Sequence, residues 1–173
     1  MGMNKRELSD INQICIHKSG YKDWGTKTNW KDAAEIKDYH MKIRSFDDIA
    51  YNFIIKKDGT LETGRDINNW PASCRGHNKN VIAICLIGEF LLDYPSEAQV
   101  ETLTTLLAQQ CKDILVANGI DKRDRHGKWE CTDMHHIFGH CDYRDPPGNR
   151  QCPGTNLSRM LPGIAKDVSK LLG

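Results

Sequence analysis

Two residues near the C-terminus, His140 and Cys152, carry the side chains with the clearest chemistry in the chain. An imidazole nitrogen and a thiolate sulfur are donors that zinc accepts, and the turn-rich connection between the two residues can bring them close together. A third protein ligand must come from far away in the sequence, and His17, at the end of the first strand-like run, is the best candidate. Three protein ligands with an open fourth position are typical of a catalytic zinc rather than a structural one. The sequence therefore predicts a catalytic zinc site at these three residues.

An alternative metal cluster is formed by Cys131 with His135 and His136. Its spacing also suits zinc, and in that case the protein is a zinc-stabilised binding module. We favour the first set, because neighbouring residues on a strand face opposite sides and one of the two adjacent histidines must point away. His40 lies in a predicted helix and His126 in a charged stretch, so we expect neither to bind metal.

The first third of the chain predicts a strand and a helix that position these groups. Residues 11–17 form a β-prone run that delivers His17 to one edge of the sheet, and residues 18–29 predict a loop. Asn29 can cap a helix over residues 30–44. The apolar positions of this helix, which should pack on the sheet, are Ala33, Ile36, Tyr39 or His40, and Ile43.

The middle of the chain predicts a hairpin and a buried strand. A second strand over residues 49–56 is followed by a two-residue turn at Asp58-Gly59 and by residues 61–65, which is the strongest hairpin signal in the sequence. Residues 68–80 predict a long surface loop that a binding cleft could use. Residues 81–88 are almost wholly apolar, which is typical of a central strand covered on both faces.

The last part of the chain adds two helices and a short strand. Ser96 and Gln99 have the spacing of a capping box and start the longest helix, which runs to about residue 117. A strand over residues 134–139 leads into the metal-binding motif, and a last helix is predicted over residues 162–172. This order of elements predicts an α/β fold with a central mixed β-sheet and helices packed on it.

Length and composition indicate one domain, spanning residues 1–173 with a core of about 10–172, because a chain of this size can bury roughly 70% of its unfolded surface. The net charge is only +1 and both signs are mixed, which argues against a nucleic-acid surface or a membrane-binding patch. The seven cysteines form no C-x-x-C pair, so no disulfide framework is indicated. We find no signal peptide and no apolar segment long enough to span a bilayer, and we expect synthesis in the cytoplasm.

A series of short motifs extends over most of the chain. They are the strand ending in His17, the run Ala50-Tyr51-Asn52-Phe53-Ile54-Ile55, Asp58-Gly59-Thr60, Gly64-Arg65, Gly76-His77-Asn78, residues 81–88, Gly139-His140-x-Asp142 and Cys152-Pro153-Gly154. In this order they resemble the zinc-dependent N-acetylmuramoyl-L-alanine amidases of the peptidoglycan-recognition and phage-lysozyme type, the amidase type 2 family. No single motif is decisive, but together they are specific, and the resemblance implies that family's fold.

The resemblance also implies roles for individual residues. His17, His140 and Cys152 match the family's ligands for one zinc ion, and Tyr51 matches a tyrosine close to the open coordination position. Zinc can lower the pKa of a bound water to about 7 and can polarise a carbonyl group. The phenol of Tyr51, with an ordinary pKa of about 10, is expected to orient water or oxyanion by hydrogen bonding rather than to act as a strong base.

Other positions in the motifs are less similar to the family. Arg150 stands where phage enzymes of this family have a lysine that helps to stabilise the tetrahedral intermediate. We expect the Arg150 guanidinium to stabilise the oxyanion, although its planar group differs in shape from the compact ammonium of lysine. His77 and Asn78 are the predicted substrate contacts. Ser73 replaces a histidine that many relatives carry, and Cys85 replaces a glutamate of another branch. The charged stretch over residues 120–130 looks like an insertion.

The function implied by the resemblance is hydrolysis of the amide bond between N-acetylmuramic acid and L-alanine in peptidoglycan. The expected setting is a phage or prophage endolysin that acts on the cell wall after its release, although a bacterial recycling enzyme or an exported antibacterial effector would look similar. The alternatives are a non-catalytic peptidoglycan-binding protein on the same fold and a regulatory partner of RNA polymerase. We expect a monomer whose partner is peptidoglycan, with no nucleic-acid binding and no membrane insertion.

Overall fold

The computed structural model describes residues 3–117, 137–142 and 151–172. Short 3-10 helices lie at Leu8–Asp10, Asn78–Asn80 and His140–Asp142. No helix in these ranges is long and apolar enough to cross a membrane. The other elements are, in chain order, β1 (Gln13–Lys18), β2 (Tyr21–Asp23), β3 (Thr28–Asn29), α1 (Ala33–Lys42), β4 (Phe53–Ile55), β5 (Leu61–Thr63), β6 (Val81–Leu86), α2 (Glu97–Ala117), β7 (Ile137–Gly139) and α3 (Thr155–Leu172).

Five strands form the central sheet, in the order β5-β4-β6-β1-β7. The pairs β4–β6, β6–β1 and β1–β7 are parallel, whereas β5 runs antiparallel to β4. Every residue of β6 is buried, as expected for a parallel strand covered on both faces. The predicted α/β fold with a mixed sheet is therefore confirmed.

The β4–β5 hairpin is present, but its connection is longer than the predicted two-residue turn. The Lys56 N–H donates to the Thr60 carbonyl and the Gly59 N–H donates to the Lys56 carbonyl, both at 2.9 Å, so residues 57–59 connect the strands. Gly59 has a φ of +85°, which glycine adopts without steric cost. A Cβ at this position would also lie only 2.8 Å from the Cβ of Ala98 in α2.

Helix α1 begins at Ala33 rather than at residue 30, and Asp32 caps it rather than Asn29. The Asp32 carboxylate accepts a hydrogen bond of 2.8 Å from the Glu35 N–H. Asn29 belongs instead to β3, which pairs with β2 in a small antiparallel ribbon. The prediction of a continuous loop over residues 18–29 was wrong, because strands this short leave no periodic pattern in the sequence.

The buried face of α1 is narrower than its apolar spacing predicted. Ile36 is buried in a small cluster with Ile49, Ile54 and Ile87. Ile43, the C-cap residue, is 67% exposed. Helix α1 therefore packs on the sheet mainly through one turn.

Helix α2 starts with the predicted capping box. The Gln99 N–H donates to Ser96 Oγ and the Ser96 N–H donates to Gln99 Oε1, each at 3.1 Å. The side-chain amide of Gln99 also donates to the carbonyls of Ile55 and Ile87. These bonds join the helix start to the sheet, and the helix runs to Ala117 as predicted.

Helix α3 starts at Thr155, earlier than predicted, and Pro162 lies inside it rather than at its start. A proline inside a helix costs about 3 kcal/mol. Each large apolar side chain buried contributes about 1.5–3 kcal/mol, so a continuous apolar face outweighs that cost. The buried residues of α3 are Leu157, Leu161, Ile164, Ala165 and Val168.

Strand β4 begins at Phe53, later than predicted, and Asn52 before it is held by both backbone and side-chain hydrogen bonds. The Asn52 N–H donates to the Ala83 carbonyl at 2.9 Å, and the Asn52 carbonyl accepts from the Gly64 N–H at 2.8 Å. The Asn52 amide donates to the Arg65 carbonyl at 3.1 Å, and its Oδ1 accepts from the Ala83 N–H at 3.0 Å. Of the strand predicted over residues 134–139, the described part forms β7. The charged stretch 120–130 lies outside the described residues.

Candidate metal centre

The candidate site lies at the carboxyl ends of two neighbouring parallel strands. His17 is the last residue but one of β1, and Ile16 before it is paired with Gly139 of β7. His140 follows Gly139 directly. Because the carboxyl ends of adjacent parallel strands meet at the same edge of a sheet, this register brings His140 beside His17.

Cys152 joins the two histidines from the segment before α3. The Cys141 N–H donates to the Cys152 carbonyl at 2.7 Å, and the Lys18 N–H points at the Cys152 sulfur at 3.4 Å. The Cys152 sulfur lies 3.6 Å from Nδ1 of His17, and the rings of His17 and His140 have centroids 4.6 Å apart. The possible donor atoms of the three residues all lie within 4.8 Å of one another. The structure thus brings the three predicted ligands together.

The charges of Cys152 and His17 are coupled. Burial raises the pKa of the Cys152 thiol, but the charge of His17 and hydrogen bonds from His140 and His17 outweigh it and lower the pKa to about 6. Burial likewise lowers the pKa of His17, but Cys152 and Cys74 raise it to about 9. Cys152 therefore has thiolate character at neutral pH, and the thiolate is the form that binds metal.

These donors fit a zinc ion. Sulfur and nitrogen atoms bound to one tetrahedral zinc, at about 2.3 and 2.0–2.1 Å, lie about 3.5 Å apart. The separation of 3.6 Å between Cys152 Sγ and His17 Nδ1 matches this value. Both residues are almost fully buried, whereas His140 is partly exposed. A cation bound by these residues would be shielded from solvent at His17 and Cys152 and accessible to solvent near His140.

Tyr51 lies beside this cluster, in the irregular segment before β4. Its ring centroid is 5.2 Å from that of His17. Burial raises the pKa of the Tyr51 hydroxyl well above 10, and Cys85 and Cys152 raise it further. The phenol therefore keeps its proton at neutral pH and can donate a hydrogen bond but not act as a base.

A cavity of about 440 Å³ opens next to the cluster. His17, His140, Cys152 and Tyr51 form part of its wall, so the possible metal donors face its interior. Its volume is typical of pockets that take small ligands. The other wall residues with aromatic or cationic side chains are Lys18, Tyr21, Lys22, Trp24, Trp30, Tyr39, His40, Arg44 and Phe46.

Sequence reasoning missed Lys18, which follows His17 and also lines this cavity. Its ammonium group forms a buried ion pair with the Glu89 carboxylate, and the side chains are only 7% and 1% exposed. Removing two charges from water is costly unless they are paired. The only signal in the sequence was a lysine next to a predicted ligand, and nothing local identified Glu89 as its partner.

Sequence reasoning also missed Cys74, which comes from the loop over residues 68–80. Its sulfur lies 3.5 Å from Nε2 of His17, on the opposite side of the ring from Cys152. Cys74 is 1% exposed. A loop cysteine offers no periodic pattern, so only the folded chain reveals this contact.

The remaining predicted site residues lie in different places. Asn78 accepts hydrogen bonds from the N–H groups of Ser73 and Cys74, at 3.1 and 2.8 Å, so its side chain organises the loop. His77 is exposed, and neither His77 nor Asn78 lines the cavity, whereas Ser73 does. The residues of the cavity wall therefore give no support to the prediction that His77 and Asn78 contact the substrate.

Several predicted residues lie outside the described residues. They are Arg150, the members of the rival cluster Cys131, His135 and His136, and His126 of the charged stretch. His40 is described: it lines the cavity, and its Nδ1 accepts a hydrogen bond of 3.1 Å from the Ala50 N–H.

The fold and the cluster define an α/β domain with a candidate metal centre of two histidines and one cysteine at the carboxyl edge of its sheet. Residues 7–155 match the model of the N-acetylmuramoyl-L-alanine amidase family, and the chain belongs to this family. The resemblance expected from the sequence motifs is therefore confirmed.

Proteins similar to this chain include a peptidoglycan-recognition protein, a phage endolysin and a bacterial amidase. Peptidoglycan-recognition protein 2 of Holotrichia diomphalia is 39% identical over 98 residues, which cover 54% of this chain and 51% of that protein. The endolysin of Escherichia phage T7 is 38% identical over 79 residues, 42% of this chain and 51% of that protein. The chain thus spans about half the length of these curated relatives. The N-acetylmuramoyl-L-alanine amidase LysC from Clostridium intestinale has the same fold, with a TM-score of 0.63 and 23% identity over 90% of this chain and 85% of that one.

Proposed function

We propose that this protein is a zinc-dependent amidase that hydrolyses the bond between N-acetylmuramic acid and L-alanine in peptidoglycan. The observation that carries the proposal is the cluster of His17, His140 and Cys152, with all possible donor atoms within 4.8 Å. Membership of the amidase family and the similarity to a phage endolysin support the reaction.

The protein's own residues have distinct tasks in this reaction. His17, His140 and Cys152 would hold one zinc ion, which supplies Lewis-acid activation of water and of the scissile carbonyl. Tyr51, whose raised pKa keeps the phenol protonated, donates a hydrogen bond to the oxygen on which negative charge develops. Arg150 is the second proposed donor to that oxygen.

The cavity beside the cluster supports a substrate with both sugar and peptide parts. Its wall includes Trp24 and Trp30, whose flat faces can stack on a sugar ring, and Arg44, whose guanidinium can bind a carboxylate of a stem peptide. Trp24 is 60% exposed, so it is free to be covered by substrate. The paired Lys18 contributes less charge, since Glu89 neutralises it.

The setting that we propose is a phage or prophage endolysin. Such a protein would be made in the host cytoplasm, act as a monomer, and reach the cell wall when another factor opens the membrane. The 38% identity to the T7 endolysin supports this setting.

The test is digestion of purified peptidoglycan by the zinc-loaded protein. New L-alanine amino termini are expected, and their formation should stop when a chelator removes the metal. New reducing sugar ends instead would contradict the amidase function and indicate a glycosidase.

A second candidate is recognition of peptidoglycan without cleavage, which the 39% identity to a peptidoglycan-recognition protein favours. In that case the zinc-loaded protein would sediment with peptidoglycan but release no new amino termini. Retention of Cys152 as a donor in the cluster favours the enzyme.

A further inference from the structure

His17 has a second pair of possible metal donors on the side of its ring away from Cys152. Cys15 is two residues before His17 in β1, so both side chains lie on the same face of the sheet. Cys74 reaches this face from the loop that covers it, and the donor atoms of Cys15, His17 and Cys74 all lie within 4.8 Å of one another. This group shares His17 with the candidate metal centre.

The distances to the two ring nitrogens are nearly equal. Nε2 of His17 lies 3.5 Å from the Cys74 sulfur, and Nδ1 lies 3.6 Å from the Cys152 sulfur. Both values match the separation of about 3.5 Å expected for sulfur and nitrogen on one tetrahedral metal ion. Each ring nitrogen of His17 therefore lies as far from its neighbouring sulfur as expected when one metal ion binds that nitrogen and that sulfur.

The second group is also firmly built. Asn78 Oδ1 accepts hydrogen bonds from the N–H groups of Ser73 and Cys74, and the His77 N–H donates to the Cys74 carbonyl at 2.9 Å. These bonds hold the loop segment that carries the Cys74 sulfur. Cys15, His17 and Cys74 are 0%, 2% and 1% exposed. A cation bound by these residues would be shielded from water, which favours soft sulfur donors and a thiophilic ion.

We propose that Cys15, Cys74 and Nε2 of His17 form a second metal-binding position, here called the inner position, for a thiophilic cation such as Cd²⁺ or Zn²⁺. Metal binding requires the thiolate forms of Cys15 and Cys74 and an unprotonated Nε2 of His17, so any protons that these three atoms carry pass to solvent. The donor set, two sulfurs and one nitrogen, is softer than that of the candidate metal centre, which has one sulfur and two nitrogens.

The two positions compete for His17. A neutral imidazole carries its proton on one nitrogen and binds metal through the other. When Nδ1 binds a metal at the candidate metal centre, Nε2 keeps its proton and donates to Cys74. A cation at the inner position takes Nε2 instead, which weakens binding at the candidate metal centre. The inner position goes beyond the proposed amidase function and does not rest on that function.

The test uses a variant that lacks two ligands of the candidate metal centre, His140→Ala/Cys152→Ser, titrated with Cd²⁺ alone. The readout is the ultraviolet charge-transfer absorption of thiolate-bound Cd²⁺, whose intensity follows the number of thiolates. We expect one Cd²⁺ per chain with the intensity of two thiolates. Adding Cys74→Ala should weaken this binding by more than about a hundredfold, beyond the 10–100-fold effect of residues that only support a ligand.

Two further variants on the same background keep the result interpretable. Cys111→Ala removes another buried cysteine, in α2, and should leave the Cd²⁺ affinity and absorption unchanged. Cys15→Ala should weaken binding as Cys74→Ala does. Because Cys74 lies in a loop, its replacement should preserve the fold, which a thermal melting curve checks. Absence of Cd²⁺ binding in the folded parent variant, or binding that Cys74→Ala leaves unchanged, would overturn the proposal.

Discussion

The sulfur of Cys152 lies 3.6 Å from Nδ1 of His17, although 135 positions separate the two residues in the chain. The contact exists because β7 pairs in parallel with β1, and the Cys141 N–H, just after β7, donates to the Cys152 carbonyl and holds Cys152 at the same sheet edge. Both side chains are nearly fully buried. A metal ion bound here would therefore connect the two ends of the fold, and metal binding should also stabilise the protein.

Replacement of Cys152 tests the candidate metal centre. We expect Cys152→Ser to lose zinc and amidase activity together, because a hydroxyl is a far poorer zinc donor than a thiolate. Zinc content of the purified protein and release of L-alanine amino termini are the measurements. Cys131→Ser is the control and should keep both properties. Loss of zinc and activity in Cys131→Ser but not in Cys152→Ser would instead assign the metal to Cys131, His135 and His136.

Replacement of Tyr51 tests the proposed hydrogen bond to the oxyanion. Tyr51→Phe removes only the hydroxyl, so zinc content should stay the same while kcat falls on the order of 10²-fold, the usual effect of losing one such donor. Zinc content and steady-state kinetics on peptidoglycan fragments separate the two effects. An unchanged kcat would show that Tyr51 packs beside His17 without taking part in the reaction.

The buried pair of Lys18 and Glu89 should matter for stability. Glu89→Gln leaves the ammonium of Lys18 buried without its countercharge, and breaking a buried pair in this way costs about 3–5 kcal/mol. Urea unfolding followed by circular dichroism measures the loss in the free energy of unfolding. The double variant Lys18→Met/Glu89→Gln should recover part of it, because no unpaired charge remains. A single variant as stable as the parent would show that solvent reaches this pair.

His40 should make the protein less stable in mild acid. Burial lowers the pKa of His40 to about 4, with further contributions from Arg44 and Arg65. The unfolded chain takes up a proton as the pH falls through about 6.5, whereas the folded protein resists protonation until about pH 4. The contribution of neutral His40 to stability is therefore complete above about pH 6.5 and is lost progressively down to about pH 4.

The pH dependence of His40 can be isolated with His40→Asn, whose side-chain oxygen can still accept the Ala50 N–H. Urea midpoints of the parent and the variant at about pH 7 and about pH 5 are the measurement. The decline between these pH values should be smaller in the variant. Equal declines would assign the acid sensitivity to other groups.

Much of the fold could be predicted from the sequence, because its signals are local. The apolar run of β6, the hairpin signal around Asp58-Gly59 and the capping box of Ser96 and Gln99 all act within a few residues, although the turn itself proved one residue longer than predicted. The types of the metal donors were also evident, since few side chains bind zinc. Errors arose where local signals were weak or misleading, as at the short strand β3 and at Pro162, which lies inside α3 because the apolar face of the helix continues past it.

The relations between distant residues were decided by the tertiary structure alone. No local pattern indicates that Cys74 lies against Nε2 of His17 or that Lys18 pairs with Glu89, because these contacts depend on strand register and on how a loop covers the sheet. Donor chemistry is a property of residue type, which the sequence determines. Donor geometry is a property of packing between β1, β7 and the loop over residues 68–80, and it places one histidine between two sulfur atoms.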